Sequence, residues 1–568
     1  MDRHEMALDI ERTPFSAYGS YLSFTLDQGS RSLTIHNVRR RFEEGEAWKL
    51  EFLEKGEPLA LGVSATPSCL SLHAGSGSAI IHLRGDRGFA LRGSGIEPCL
   101  RQLGKSGYGV CDGAGSYKFI SASHRIYTGL RLLSGQGRLE GPVVPGPSGQ
   151  SRDHRRNLFM GNPWGSVEFL FEMSIDEPGQ SFESYDPEKE IASLEDEWQA
   201  FQARWPAVPE GHREMADIAL YTIWSCFVRA GDVYAYDAVL MSKKGMTSVW
   251  PWDHCFNALA LAAIDGETAL EQFFLPFERQ SKDGALPDML NPNTESIWGI
   301  TKPPIHGWCF GKLMDSLPMT EATLRKAYGH IERWTEWWFA FRDSDGDGLP
   351  EYPHGYDSGW DNSTCFDGGF FIESPDLSAY LVLQMGALSR MARELGDSDA
   401  ASAWARRADT LVEKLLSHFW KDGGLVTNPS GSHEFRERPT SLLPLMTIAL
   451  GAGLEKTKFD SLVDSLERDF LTEKGPATER PDSPWYQGDG YWRGSIWAPS
   501  TYILVDGLRR GGRQDLAAGL ASRFCRMVRE ARGCYENFDA LTGRGLEAPG
   551  YTWTASVYIL LLLEFPSP

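Results

Sequence analysis

Residues Thr320–Phe366 read TEATLRKAYGHIERWTEWWFAFRDSDGDGLPEYPHGYDSGWDNSTCF. Leu324, Tyr328, Ile331, Thr335 and Trp338 lie at helical spacing behind the N-capping Thr320, so the first half predicts an amphipathic helix. From Asp343 onward, aspartates, glycines and prolines break any period, and the second half predicts a long connection. The unit is a helix feeding a loop rich in carboxylates and aromatics, and the chain repeats it.

Working outward, the 3.6-residue period predicts helices over 212–230, 252–264, 267–280, 305–316, 320–341, 374–394, 398–420, 439–451, 455–471, 493–510, 513–531 and 551–564. Their connections alternate between short and long. In a closed ring of antiparallel helices every second connection emerges at the same end, so the six long loops share one face. This predicts a toroid of six α-hairpins, an (α/α)6 barrel, over 206–568.

The preceding half differs in texture. SYLSFTL, SLTIHNV, AIIHLRG, YKFISAS and VEFLFEMSI alternate with period two between turns, the pattern of an antiparallel β-sandwich. A charged helical stretch ending at Gln202, followed by Pro206 and Pro209, sets the boundary, giving a sandwich domain with linker helix over 1–205.

A formal charge of −21 repels phosphate backbones and anionic lipid, which excludes nucleic acid and membrane surfaces as partners and leaves a small molecule. Nine cysteines without CxxC spacing read as reduced thiols. Residues 1–15 hold no apolar signal core and no apolar run reaches about 18 residues, so the expected location is the cytoplasm. The sequence is silent on oligomeric state.

The long loops concentrate side chains suited to a sugar. SVWPWDHCF carries Trp250, Trp252 and Asp253: an indole face stacks on a sugar ring and a carboxylate accepts paired hydroxyls, although a core tryptophan with a helix cap has the same appearance. Asp283 and Asp288 occupy the next loop; WYQGDGYWRGSIWAP supplies Tyr486, Gln487, Tyr491, Trp492, Arg493 and Trp497. Arg493 reads either as a guanidinium orienting a carboxylate at the site or as a structural ion pair. Asp357, Asp361 and Asp367 in one loop face Glu536 and Asp539 in another. Paired carboxylates across a pocket are what glycosidic hydrolysis needs, one protonating the leaving oxygen and one activating water or attacking. Trp360 beside Asp361 is a neighbour that raises a carboxyl pKa. A sugar isomerase would instead use histidines, with His254, His306 and His354 as candidates, and a non-hydrolytic sugar-binding protein would lack one carboxylate.

Asp343, Asp345 and Asp347 before Gly348 match the first half of a calcium loop, but His354 stands where a full loop has its bidentate glutamate, so a tight Asx-turn fits equally. No organic cofactor motif is present.

SVWPWDHCF, DGDGLPEY, DSGWDNS, YWRGSIWAP and YENFDALTG, in this order, resemble glycoside hydrolase family 63 and its trehalase-related clan. The resemblance spans 212–564. It implies an (α/α)6 barrel, often behind an N-terminal β-sandwich, and an inverting exo-acting α-glycosidase with Asp361 as general acid and Glu536 as general base. The expected substrate is a small α-glucoside or α-mannoside, a disaccharide or a glycosyl-glycerate, held by Trp250, Trp252, Asp253, Trp360, Asn362, Tyr486, Arg493 and Trp497. It also implies a structural calcium on Asp343, Asp345, Asp347 and Leu349 with Glu373.

Overall fold

The computed structural model describes residues 6–566 except 28, 30, 105–106, 112–114, 122–124, 142, 146–150, 154–156, 162–164, 176–181, 183–184, 232, 293 and 435–438. Two antiparallel sheets form the N-terminal half. One runs through Leu22–Leu26, Ser32–Asn37, Glu46–Glu54, Glu97–Gln102, Asn157–Gly161 and Gln136–Glu140, with Glu57–Pro58 folded onto the third strand. The other runs Gly107–Cys111, Ser116–Ser121, Ile126–Ser134, Ser166–Ser174, Gly88–Ser94, Gly77–Arg84, Leu70–Ala74 and Leu61–Ala65. Their inward residues meet face to face. Trp48 of the first sheet sits edge-on to Phe119 and Phe171 of the second, at 4.8 and 5.8 Å between ring centroids.

Helix α1 (Pro187–Gln202), capped by Asp186, follows the strands. Its Glu190 takes Arg84 and His82 from the sandwich, while its Trp198 packs on Tyr221 and Trp224 of the barrel. A second tie is Lys243, fully buried, whose Nζ donates to Ser16 Oγ, Ala17 O, Ser20 O and Phe227 O at 2.5–3.2 Å. Burial pushes its pKa down to about 7, yet four oxygen acceptors are the environment of an ammonium, so the proton helps fasten sandwich to barrel.

The barrel comprises α2 (Arg213–Cys226), α3 (Pro251–Leu261), α4 (Gly266–Phe274), α5 (His306–Ser316), α6 (Glu321–Phe341), α7 (Pro375–Glu394), α8 (Ser398–Phe419), the 3-10 helix Leu443–Gly453, α9 (Lys456–Ser465), α10 (Ala498–Arg510), α11 (Gln514–Ala531) and α12 (Thr552–Glu564). Helix α3 packs on α5, α5 on α7, α7 on the 3-10 helix, that helix on α10, α10 on α12, and α12 back on α3. These six close an inner ring. Burial separates the inner ring from the outer: every residue of α3 is buried, as are Thr552–Leu562 of α12 and Ala498–Leu508 of α10. By contrast, α6 and α8 each bury a single stripe and lie outside.

Each long loop leads from an outer helix to the N-terminus of an inner one. One face of the ring therefore gathers six inner N-termini, whose positive dipole ends suit an acid-rich site.

The eighth predicted helix, 439–451, is a 3-10 helix over Leu443–Gly453. Pro444 opens it, Gly451 sits at φ 54°, and a Cβ on Gly507 of α10 would lie 2.3 Å from Ile448 O, so close approach to α10 sets its path. The predicted 493–510 helix begins only at Ala498, because Gly494 (φ 152°) and the short strand Ile496–Trp497 precede it. The predicted 267–280 helix tightens into a 3-10 turn at Leu275–Arg279, where Pro276 removes a donor.

Candidate active site

The acid loop, 342–374, folds back on itself through the strands Glu351–Tyr352 and Ile372–Glu373. Its middle is fixed from several sides. Ser358 Oγ donates to Gly355 O, Ser363 meets Ser441 at 2.8 Å, and Thr364 Oγ1 donates to Glu479 at 2.7 Å. Asn362 is a bracket to the 486–497 loop: its Nδ2 donates to Gly490 O at 3.1 Å and its Oδ1 accepts from Trp492 N at 2.9 Å. Arg493 adds to the bracket, with Nε on Asn362 O at 2.8 Å and Nη2 paired with Asp367. Arg493 is thereby engaged as an ion pair within the loops.

Glu536 lies on the strand Tyr535–Phe538, which pairs with Ile496–Trp497 and Gly545–Pro549. Its Oε1 accepts from Tyr491 Oη at 3.0 Å, its Oε2 from Ala548 N at 3.4 Å, and its backbone carbonyl from Trp553 Nε1 at 2.9 Å. Tyr491 holds the left-handed conformation (φ 62°) that turns its phenol to this carboxylate.

Asp361 keeps a side-chain exposure of 27%, and Lys302 Nζ stands 3.7 Å from its Oδ1. The same ammonium lies 3.3 Å from Asp288 Oδ1 and donates to Tyr356 O at 3.0 Å. Lys302 is one member of the site that sequence reasoning missed; TKPP carries no motif that distinguishes it. Asp253, in the first turn of α3, is buried, and its Oδ2 has no hydrogen-bond partner among the described residues.

These groups act on one another. Burial pushes the Glu536 pKa up to about 7, against the lowering effect of Tyr491 and Ala548, and the Asp361 charge raises it further. Asp361 is also raised by burial, opposed by Lys302 and aided by Asp288. Burial drives Asp253 well above the usual carboxylate range.

Aromatic side chains form the floor. Trp492 stacks on Trp497 at 3.9 Å and 5°, and on Trp360 at 4.5 Å; Trp252 and Trp553 close the cluster from the sides. Trp252, Trp360 and Trp497, expected around a sugar, are 3%, 1% and 0% exposed, because Trp360 and Trp497 stack on Trp492 and Trp252 packs tilted against Trp492 and edge-on to Trp553. Trp250, the residue before α3, is 7% exposed. Tyr486 packs against Gly494, with its hydroxyl buried and unpartnered among the described residues.

Two of the three candidate histidines are buried in the barrel, and the third, His354, lies near enough to Asp361 for its charge to lower that carboxyl. His254 bonds Gln272 and His306 is enclosed by Phe273, Phe277 and Trp334; burial pushes them down to about 4 and about 3. His354 accepts from Tyr356 N through Nδ1 and packs on Phe370.

One arginine comes from the sandwich. Arg41, after the strand Ser32–Asn37, reaches Met289 Sδ at 3.0 Å, next to Asp288, and its Nε is buried without a partner among the described residues.

In the DSDGDG stretch, carboxylate oxygens turn onto the loop's own amides. Asp343 accepts from Gly348 N, Asp345 from Asp347 N, and Asp347 from Leu349 N. Glu373, fully buried, lies at the other end of the acid loop.

Substitution Tyr491→Phe removes a hydrogen bond that favours the Glu536 anion. Because a charged hydrogen bond contributes about 1.5–3 kcal/mol, the acidic limb of the kcat/KM profile is expected to move up by about 1–2 pH units. A pH–rate series on both proteins measures it.

The class that this barrel and its facing carboxylates define is the glycoside hydrolase on an (α/α)6 scaffold. Residues 246–554 match the family described as the mannosylglycerate hydrolase MGH1-like glycoside hydrolase domain, and the chain belongs to that family. A mannosylglycerate hydrolase of Rubrobacter radiotolerans is 23% identical over 422 residues, covering 56% of this chain and 90% of that one. The GH63 mannosylglycerate hydrolase of Thermus thermophilus, crystallised with Tris, has a TM-score of 0.53 at 19% identity over 60% of this chain and 98% of that one. A bacterial glucoamylase complexed with acarbose has a TM-score of 0.67 at 12% identity over 99% of this chain and 95% of that one, so its likeness takes in the sandwich as well as the barrel. Among the described residues no helix is long and apolar enough to cross a membrane.

Proposed function

We propose that this glycoside hydrolase cleaves a small α-glycosyl-glycerate with inversion, Asp361 acting as general acid and Glu536 as general base. The observation that carries this reading is the pairing itself: two carboxylates from loops far apart in sequence, each raised by burial, meet over one aromatic floor. Asp361 delivers its proton to the glycosidic oxygen as the C–O bond breaks. Glu536 takes a proton from the water that forms the new C–O bond on the opposite face of the sugar. Lys302 is placed to stabilise the Asp361 carboxylate left behind, and Tyr491 and Ala548 hold the Glu536 anion that receives the water proton. Asp253, with its free buried oxygen, is the acceptor for sugar hydroxyls.

The glycerate class follows from the relatives' names and from Arg41. Arg493 and Lys302 are both engaged with aspartates, whereas Arg41 presents an unpartnered Nε beside Asp288 and fits the substrate carboxylate. Nine free cysteines support a reducing, cytoplasmic setting. The test is a panel of mannosylglycerate, glucosylglycerate, the corresponding glycosyl-glycerols and trehalose. Arg41→Ala is expected to raise KM at least tenfold for the glycerates and to leave the uncharged glycosyl-glycerols unchanged. Equal turnover of glycerates and glycerols by the unaltered enzyme would remove the anionic aglycone from the proposal.

A further inference from the structure

In the stretch that resembles a calcium loop, one carboxylate oxygen each of Asp343, Asp345 and Asp347 lies within 4.8 Å of the others. Calcium takes six to eight oxygens, chiefly carboxylates, carbonyls and water. Here Lys414, on α8, donates its ammonium to the Asp347 carbonyl, and three of the loop's carboxylates are turned onto its own amides. The Asp343 oxygen that remains buried is unpartnered among the described residues, while a lysine takes the Asp347 carbonyl and a histidine meets Asp345.

Two imidazoles enter instead. His418, in the last turn of α8, places Nε2 at 2.6 Å from Glu373 Oε2. His433, beyond the strand Asn428–Pro429, places Nε2 at 3.2 Å from Glu373 Oε1, 2.9 Å from Asp345 Oδ2 and 3.7 Å from Asp347 Oδ2. One ligand atom each from Asp347, Glu373, His418 and His433 falls within 4.8 Å of the others. Four donors around a tetrahedral zinc lie about 3.4 Å apart, given bonds of about 2.0–2.2 Å, so the pairs at 2.6 and 3.2 Å widen and the pair at 3.7 Å closes. His433 is held in the left-handed conformation (φ 49°), which sends its ring into the cluster.

We propose that Asp347, Glu373, His418 and His433 form a binding site for a zinc-like divalent transition ion. Two imidazoles and two carboxylates are the ligands such an ion selects and a hard cation does not. The site is separate from the catalytic pair. Asp347 lies at the start of the acid loop and Glu373 at its end, so a bound ion ties both ends of the segment that presents Asp361 to α8 and to the 428–434 strand and turn. The ion is structural, with no place in the bond-breaking step.

The experiment uses the untagged full chain, stripped with a strong chelator and dialysed, then titrated with Co2+ as a spectroscopic stand-in for Zn2+. Visible d–d absorption saturating at one equivalent is expected, abolished by added Zn2+, with Zn2+ raising Tm by about 2–4 °C. His433→Asn, at an exposed position where the amide can still hydrogen-bond Asp345, is expected to lose both signals while keeping most of the metal-free Tm; His418→Asn provides the second arm. Three results would overturn the proposal. These are no Co2+ band with Tm unmoved by Zn2+, a Tm rise with Ca2+ but not Zn2+, or bands that persist in both histidine variants.

Discussion

Asp361→Asn and Glu536→Gln are each expected to lower kcat on a glycosyl-glycerate by ~10²–10⁴-fold, the usual contribution of a positioned general acid or base. Both substitutions keep the shape of the side chain. KM is expected to change little, because Asp253 and the floor are untouched. The two roles separate on a substrate whose leaving group needs no proton. On an α-glycosyl fluoride, Asp361→Asn should regain most of its activity, whereas Glu536→Gln should stay impaired because the water still lacks its base. Steady-state kinetics on the two substrates make the comparison. Equal rescue of both variants would show that Asp361 does not protonate the leaving oxygen.

The second large effect concerns the floor. Trp492 is fully buried between Trp497 and Trp360, and Trp492→Ala is expected to cost ~3–5 kcal/mol, the range for emptying a large aromatic site. Trp360 precedes Asp361 and its ring stacks on that of Trp492, so the same substitution loosens the acid. A lowered Tm together with a fall in kcat is the expected result, read by thermal denaturation and by kinetics below the transition. Trp404, on the outer helix α8, packs on Arg407 and donates to Tyr328 of α6 rather than meeting the acid loop, and Trp404→Ala should leave kcat unchanged. The contrast isolates the floor's effect on the acid from general loss of stability.

The barrel was legible because alternating loop lengths are a property of connectivity, which boundary errors of a few residues do not disturb. Which helices lie inside was not legible: α3 and α10 are buried nearly all round although they carry Asp253, His254, Asn257, Ser500, Thr501 and Asp506. The 3-10 helix over Leu443–Gly453 was not legible: LPLMTIALGAG has the apolar content of an inner helix, and only the close approach at Gly507 tightens it. In the site, Asp361 and Glu536 stood out by their motifs. Lys302, Arg41, His418 and His433 did not, since each has a partner more than forty residues away in the chain and none sits in a recurrent pattern. The tryptophans were recognisable as belonging to the site region, but whether an indole faces the sugar or supports the carboxylate depends on its stacking partner. Trp360 and Trp497 found theirs in Trp492.

The most direct measurement is the anomer that the enzyme releases first. Proton NMR of an α-mannosylglycerate or α-glucosylglycerate digest, recorded before mutarotation proceeds, resolves the two anomeric signals. Asp361 as acid and Glu536 as base on the opposite face require the β-anomer to appear first and the α-anomer to grow in at the mutarotation rate. Initial release of the α-anomer would contradict that assignment and would mean that the carboxylate opposite Asp361 attacks the sugar rather than activating water.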